Sequence, residues 1–169
     1  MMVKKIFCGL ILSSVLITGC LKNDTKCPYS DSHIIAPGDE IDSLREVLTD
    51  SGIVATPHAS GLFYKISASG TGAGIANLCS NLTVTFEGRL FNGIVFDSTT
   101  AGSVDKFQLG QVIPGWREGL PLISKGGNIT LYVPPSLAYG PTPVKDSQGN
   151  VLIPGNSYLV FDIKLVDIQ

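Results

Sequence analysis

Five consecutive residues, Val112-Ile113-Pro114-Gly115-Trp116, constrain this chain more than any other stretch. They open a short helical pattern over Gly115 to Leu120 that sets Trp116 and Leu120 on one side. Pro121 cannot donate a backbone N–H, so the helix is expected to stop there. Almost everything else in this half of the chain reads as strand. Gly61-Leu62-Phe63-Tyr64-Lys65-Ile66 is a strand, followed by a Gly/Ser/Ala loop from Ser67 to Ala76. Leu82, Val84 and Phe86 alternate with Thr83, Thr85 and Glu87, the period of a half-buried strand. Asn92-Gly93 sits between two apolar runs, a strong short-range hairpin signal. Gly126-Gly127 turns into Asn128 to Val133, with Ile129, Leu131 and Val133 on one face. A last strand puts Leu159, Phe161, Ile163 and Leu165 inward. The sum is an α+β domain, an antiparallel sheet wrapped around one short helix.

The run at 112–116 has company at fixed separations. Upstream lies Gly93-Ile94-Val95-Phe96-Asp97-Ser98. Downstream lie Tyr132-Val133-Pro134-Pro135-Ser136-Leu137-Ala138-Tyr139-Gly140 and Leu159-Val160-Phe161-Asp162-Ile163. In this order these pieces resemble the FKBP-type peptidyl-prolyl cis-trans isomerases. The resemblance runs from about Gly61 to Gln169 and is dense over 82–169. It implies an FKBP-like fold and a single pocket built from the quoted residues.

The resemblance assigns each residue a place. Trp116, the only tryptophan, matches the pocket floor under a substrate proline. Val112 and Ile113 match positions beside it, where the Ile113 N–H holds the peptide. Phe96, Phe107 and Phe161 match the aromatic walls, although any one of them alone reads as ordinary core. Tyr139 matches a rim tyrosine that donates to a bound carbonyl, a post that suits a ring with a polar tip. Leu152 and Ile153 match residues that close over the ligand, and the stretch from Pro141 to Asn150 before them reads as a specificity loop. Asp97 matches the pocket carboxylate. Here the chain departs from the best-known small members. Phe86 stands where they keep a tyrosine bonded to that carboxylate, and Ser98 to Asp105 contains no arginine, leaving Lys106 as the nearest cation. Asp97 is then either loosely oriented or held by Ser98, Thr99, Thr100 or Tyr139.

The implied chemistry needs no cofactor. Rotation about an X-Pro bond is opposed by a barrier of roughly 18–20 kcal/mol, the loss of amide resonance. A twisted amide separates less charge than a planar one, so a dry apolar pocket binds it preferentially, and that difference is the catalysis. The chain has two histidines, His33 and His58, both ahead of the dense match, and no metal-ligand cluster, Ser/His/Asp pattern or phosphate-binding loop. Two readings of the pocket follow: a prolyl isomerase, or a binding module or chaperone with little turnover, since fold does not dictate function. Proline-containing polypeptides are the implied partners, with macrolide inhibitors as further ligands of the same pocket. A third reading makes the domain a surface adhesin on a lipid tether, but no apolar surface run supports it.

The N-terminus carries a separate message. Lys4-Lys5 precede an apolar run from Ile6 to Thr18, too short to span a bilayer, which ends in Leu16-Ile17-Thr18-Gly19-Cys20. This looks like a bacterial lipobox, with residues 1–19 a signal peptide and Cys20 lipidated. An ordinary secretory signal is the plainer alternative. Several acyl chains anchor firmly where one does not. Leu21 is not an aspartate, which points to the outer membrane if the cell has one. Residues 20–37 are polar and read as a tether. Pro37-Gly38-Asp39 then opens a helix with Ile41, Leu44, Val47 and Leu48 spaced three to four apart, closed by Ser51-Gly52. It is too short for a dimer arm and is expected to pack on its own domain, leaving a monomer. Segment 38–60 is thus a short helix and connection to the domain at 61–169.

With Cys8 in the signal and Cys20 lipidated, Cys27 and Cys79 remain, a disulfide candidate outside the inner membrane. The alternative is two unpaired thiols. Charged residues are 15 % and the net charge is -2, which gives no sign of nucleic-acid binding.

Overall fold

The computed structural model describes residues 27–30 and 33–169. The signal segment, Cys20 and the first part of the tether lie outside the described residues.

In chain order the elements are α1 (Gly38–Asp50), β1 (Thr56–Pro57), β2 (Phe63–Ala68), β3 (Asn81–Leu90), β4 (Val95–Ser98), β5 (Asp105–Gln108), α2 (Pro114–Gly119), β6 (Asn128–Val133), β7 (Val144–Lys145), β8 (Val151–Ile153) and β9 (Leu159–Ile168). Seven of the strands form one antiparallel sheet in the order β1-β2-β6-β9-β3-β4, with β5 also paired to β3. Its spine is the pair of ten-residue strands β3 and β9, paired from Leu82↔Ile168 to Leu90↔Leu159 with a one-residue shift between Thr83 and Val84. The period-two pattern of β9 is realised, with Leu159, Phe161, Ile163 and Leu165 all buried on the inner face. Leu82 and Val84 of β3 and Ile129, Leu131 and Val133 of β6 join them in one core.

Helix α2 crosses that inner face. Pro114 occupies its first turn, where a missing N–H costs nothing and the fixed φ is already helical. Gly115 and Gly119, four residues apart, face β6. A Cβ on Gly115 would stand 2.6 Å from Val133 Cγ1, and one on Gly119 2.5 Å from Leu131 Cδ2. The two glycines therefore let the helix backbone approach the sheet more closely than any other residue pair would. The α-helix closes at Gly119 and tightens into a 3-10 turn over Leu120–Leu122 that contains Pro121.

The outer face is covered at one end by α1. Leu44 and Leu48 are buried against Phe63, Tyr132 and Val160, a second apolar cluster. Asp39 and Glu40 lie in the first turn of α1, the favourable end of its dipole. The Glu40 carboxylate also accepts the Ser136 N–H at 3.0 Å, tying the helix to the segment after β6. Helix α1 thus packs on its own sheet. The sheet begins ahead of Gly61, because β1 pairs with β2 through Thr56↔Tyr64 and Pro57↔Phe63.

Two stretches differ from the sequence reading. Residues 105–108 form a strand that the sequence reading passed over. The expected loop from Pro141 carries a small two-stranded hairpin, β7 with β8. Its turn is closed by Asp146, whose side chain accepts the N–H groups of Gln148 and Asn150.

Cys27 and Cys79 are joined in the structure, with Cα atoms 5.6 Å apart. The bridge brings Tyr29 onto Gly110, where an added Cβ would stand 2.2 Å from the tyrosine ring. The Tyr29 hydroxyl donates to Gln108 Oε1 at 3.3 Å. The N-terminal segment thereby braces the turn at Leu109–Gln111 that leads into Val112 and Ile113. For a sequence separation of 52, loop closure in the unfolded chain is worth about 4 kcal/mol. The double change Cys27→Ser, Cys79→Ser is therefore expected to lower stability by ~2–4 kcal/mol in urea unfolding, and reductant is expected to lower the wild type to the same midpoint.

Candidate functional site

The site forms between α2 and strands β3, β4, β5 and β9. Trp116 points off α2 beside the two glycines and is 5 % exposed. Three rings pack on it: Phe86 at 5.2 Å and Phe161 at 5.3 Å, both edge-on, and Phe107 at 5.5 Å, tilted. Phe96 packs edge-on against Phe161 at 5.7 Å. Such geometries are favoured by the ring quadrupoles and hold one another in place. The cavity beside these rings measures about 300 Å³ and is lined by residues of the floor, walls and rim.

A bulge in β4 brings two adjacent side chains to this cavity. Gly88 pairs with Asp97 and Arg89 with Val95, so Phe96 has no partner on β3. The extra residue breaks the alternation, and Phe96 and Asp97 both line the cavity. Gly88 makes this possible, since its Cβ would stand 2.8 Å from the Phe96 ring and 3.0 Å from Phe161.

The polar groups are few. Ile113 sits at the start of α2, its carbonyl accepting the Trp116 and Arg117 N–H groups at 3.0 and 3.2 Å. Its own N–H meets no acceptor among the described residues. Arg117 Nε donates to the Val112 carbonyl at 2.8 Å, which fixes the approach to Ile113. Tyr139 stands at the rim, 42 % exposed. Burial, and then the negative charge of Asp97, push its hydroxyl above the ordinary tyrosine value, so it keeps the proton needed to donate. Trp116 Nε1 is buried and finds no acceptor among the described residues.

Of the residues expected from the sequence, Trp116, Asp97, Tyr139, Phe86, Phe96, Phe107, Val112, Ile113 and Phe161 all line the one cavity. Leu152 and Ile153 do not. Ile153 is 3 % exposed, in the same core cluster as Trp116 and Phe161 but outside the cavity lining, and Leu152 is 41 % exposed at the β7–β8 hairpin. The alternation of a strand explains this, since neighbouring side chains on β8 point opposite ways. None of the partners considered for Asp97 is realised: its carboxylate is exposed and accepts no hydrogen bond among the described residues. Thr99 turns instead to Asp105, donating to Oδ2 at 2.6 Å, and accepts the Phe86 N–H at 3.1 Å. Asp105 and Gln111 also line the cavity and were missed. The signal for Asp105 was its spacing of two from Phe107, which puts both on one face of β5.

A cleft of similar size, about 290 Å³, is lined by Ser67, Thr85, Asn128, Thr130, Asp162 and Lys164 among others. Those side chains alternate with the inner ones along their strands and offer hydroxyls and charges, not a ring floor. Among the described residues no three His, Cys, Asp or Glu side chains are grouped to hold a metal ion.

Residues 74–166 match the family model FKBP-type peptidyl-prolyl cis-trans isomerase. A probable FKBP-type peptidyl-prolyl cis-trans isomerase FkpA of Neisseria meningitidis is 44 % identical over 126 residues, 74 % of this chain and 43 % of that protein. The outer membrane protein MIP of Legionella longbeachae is 44 % identical over 119 residues, 70 % of this chain and 48 % of that protein. Among solved structures, FkpA from Escherichia coli superposes with a TM-score of 0.65 at 36 % identity, covering 78 % of this chain and 60 % of that one. AtFKBP13 superposes with a TM-score of 0.61 at 34 % identity, covering 69 % and 99 %. The chain belongs to the FKBP-type peptidyl-prolyl cis-trans isomerase family. It spans less than half the length of the curated relatives it matches.

Gly88→Ala tests the bulge. The added methyl group crowds Phe96 and Phe161, and overpacking of this kind costs ~1–3 kcal/mol. Equilibrium unfolding in urea is expected to show that loss together with a weakened near-UV circular dichroism signal from the displaced rings.

Proposed function

We propose that the cavity seats a proline ring on Trp116 and that the chain catalyses cis-trans rotation about the preceding X-Pro bond. The observation that carries the proposal is the cavity itself: one tryptophan boxed by Phe86, Phe107 and Phe161, beside a space of about 300 Å³. Such a volume lies at the small end of ligand pockets and suits a single side chain with its flanking amide.

The residues take simple roles. The ring box replaces water around the X-Pro amide, which disfavours the charge-separated planar form and favours the twisted one. The Ile113 N–H and the Tyr139 hydroxyl, both free to donate, hold flanking carbonyls so that rotation occurs about the C–N bond and not by tumbling of the peptide. Asp97 adds a negative field at the mouth. Phe96 and Val112 complete the walls. Ile153 has no part in this reading beyond the core, and Leu152 acts only if the β7–β8 hairpin swings over a bound peptide.

The substrates we propose are exported polypeptides. The lipobox ending at Cys20 and the names of the relatives, including an outer membrane protein, favour the cell envelope. Lipid at Cys20 then anchors the domain to a membrane, with the polar residues after it as spacer. A second reading, a binding module with little turnover, draws its support from Asp97, whose carboxylate accepts no hydrogen bond among the described residues.

Isomerisation of a short X-Pro peptide by the full-length chain separates the two. The catalysed rate is expected to stand well above the uncatalysed one. Trp116→Ala is expected to lower kcat/KM by at least ~100-fold, about 2.7 kcal/mol of transition-state stabilisation, and Asp97→Ala by less than ~10-fold, as befits an exposed charge. A folded chain that leaves the rate at background favours the binding module, and equal losses in the two variants remove the floor role of Trp116.

A further inference from the structure

We infer that the cavity selects prolyl peptides carrying a lysine or arginine next to the proline. The inference rests on the proline-seating reading above and adds a substrate class to it. Two carboxylates line the cavity, Asp97 from β4 and Asp105 from β5, and among the described residues no cationic side chain lines it. The intervening segment Ser98 to Asp105 contains no lysine or arginine. Two cations lie close to the cavity residues in sequence, Lys106 and Arg117. Lys106 follows Asp105 on β5 and lines not the cavity but a neighbouring depression with Asn81, Leu82 and Thr83, which shares Phe107 and Gln111 with the cavity. Arg117 is engaged with the Val112 carbonyl.

The two carboxylates have spare accepting capacity. Asp97 takes no hydrogen bond among the described residues. Asp105 takes one, from Thr99 to Oδ2, which fixes its orientation and leaves Oδ1 open. The floor also has an open polar group, the buried Trp116 Nε1–H, which has no acceptor among the described residues. The cavity therefore offers an uncancelled negative mouth over an apolar floor, and apolar walls concentrate such a field. A basic side chain beside the proline would reach that mouth while its ring occupied the floor. A glutamate in the same place would meet two like charges.

Both carboxylates are exposed, so the selection is moderate, ~3- to 10-fold in kcat/KM, and depends on salt. The test is a set of short peptides with lysine, leucine or glutamate directly before or directly after the proline, assayed with the full-length chain at low and high ionic strength. Lysine is expected to exceed leucine by that factor in at least one of the two positions, with glutamate lowest. The ratio is expected to shrink at high salt and in Asp97→Asn and Asp105→Asn. A lysine peptide no better than leucine at either position overturns the inference, as does an advantage that survives both salt and both variants. Calorimetric affinities for the same peptides keep this separate from turnover. Lysine peptides that bind more tightly than leucine peptides yet are not isomerised overturn the isomerase reading and leave the charge selection standing. Peptides that do not bind at all overturn both.

Discussion

The cavity depends on how closely α2 can approach β6. A short helix placed on a sheet normally stands off by the thickness of its own side chains. Gly115 and Gly119 remove that thickness on one side, and Val133 and Leu131 fill the space a Cβ would need. Trp116, next to Gly115, is then set low among the strands, within reach of Phe86, Phe107 and Phe161 at the same time. A helix held an ångström or two higher would lift the indole out of that box. The Pro-Gly-Trp order thus combines a helix start, a close contact and a floor in three successive residues.

The walls obey the same logic of local irregularity placed on a regular sheet. Strands β3 and β9 supply a rigid alternating frame. The bulge at Phe96 and the vacancy at Gly88 then turn two neighbouring side chains, one apolar and one acidic, toward a single space. On the far side the Cys27–Cys79 bridge and Tyr29 hold the turn that delivers Val112 and Ile113. The polar groups left open in this space are donors on the floor and rim and carboxylates at the mouth. That distribution suits a ligand that brings carbonyls inward.

Most of this was legible in the sequence because it is written in patterns with short periods. Leu159 to Leu165 alternate plainly, Asn92-Gly93 marks a hairpin, and the residues around Trp116 recur in a known order. What was not legible depends on register. Nothing local in Val95-Phe96-Asp97 announces a bulge, which exists only relative to β3. Residues 105–108 are too few and too polar to stand out as a strand, so nothing local marks Asp105 as a cavity residue. Ile153 was placed in the site by resemblance, but the side of β8 it occupies is decided by pairing with β7. The fate of Asp97 was also hidden, because Thr99 could serve either of two carboxylates and the fold brings it to Asp105.

Trp116 is the only tryptophan in the chain, so its fluorescence reports the floor of the cavity without labelling. The decisive measurement is a titration of the full-length chain with a short prolyl peptide, beside the same peptide carrying alanine in place of proline. A saturable change in Trp116 emission with the prolyl peptide, absent or much weaker with the alanine peptide, is the expected result. An emission unchanged by either peptide, or changed equally by both, would contradict a proline seated on that ring.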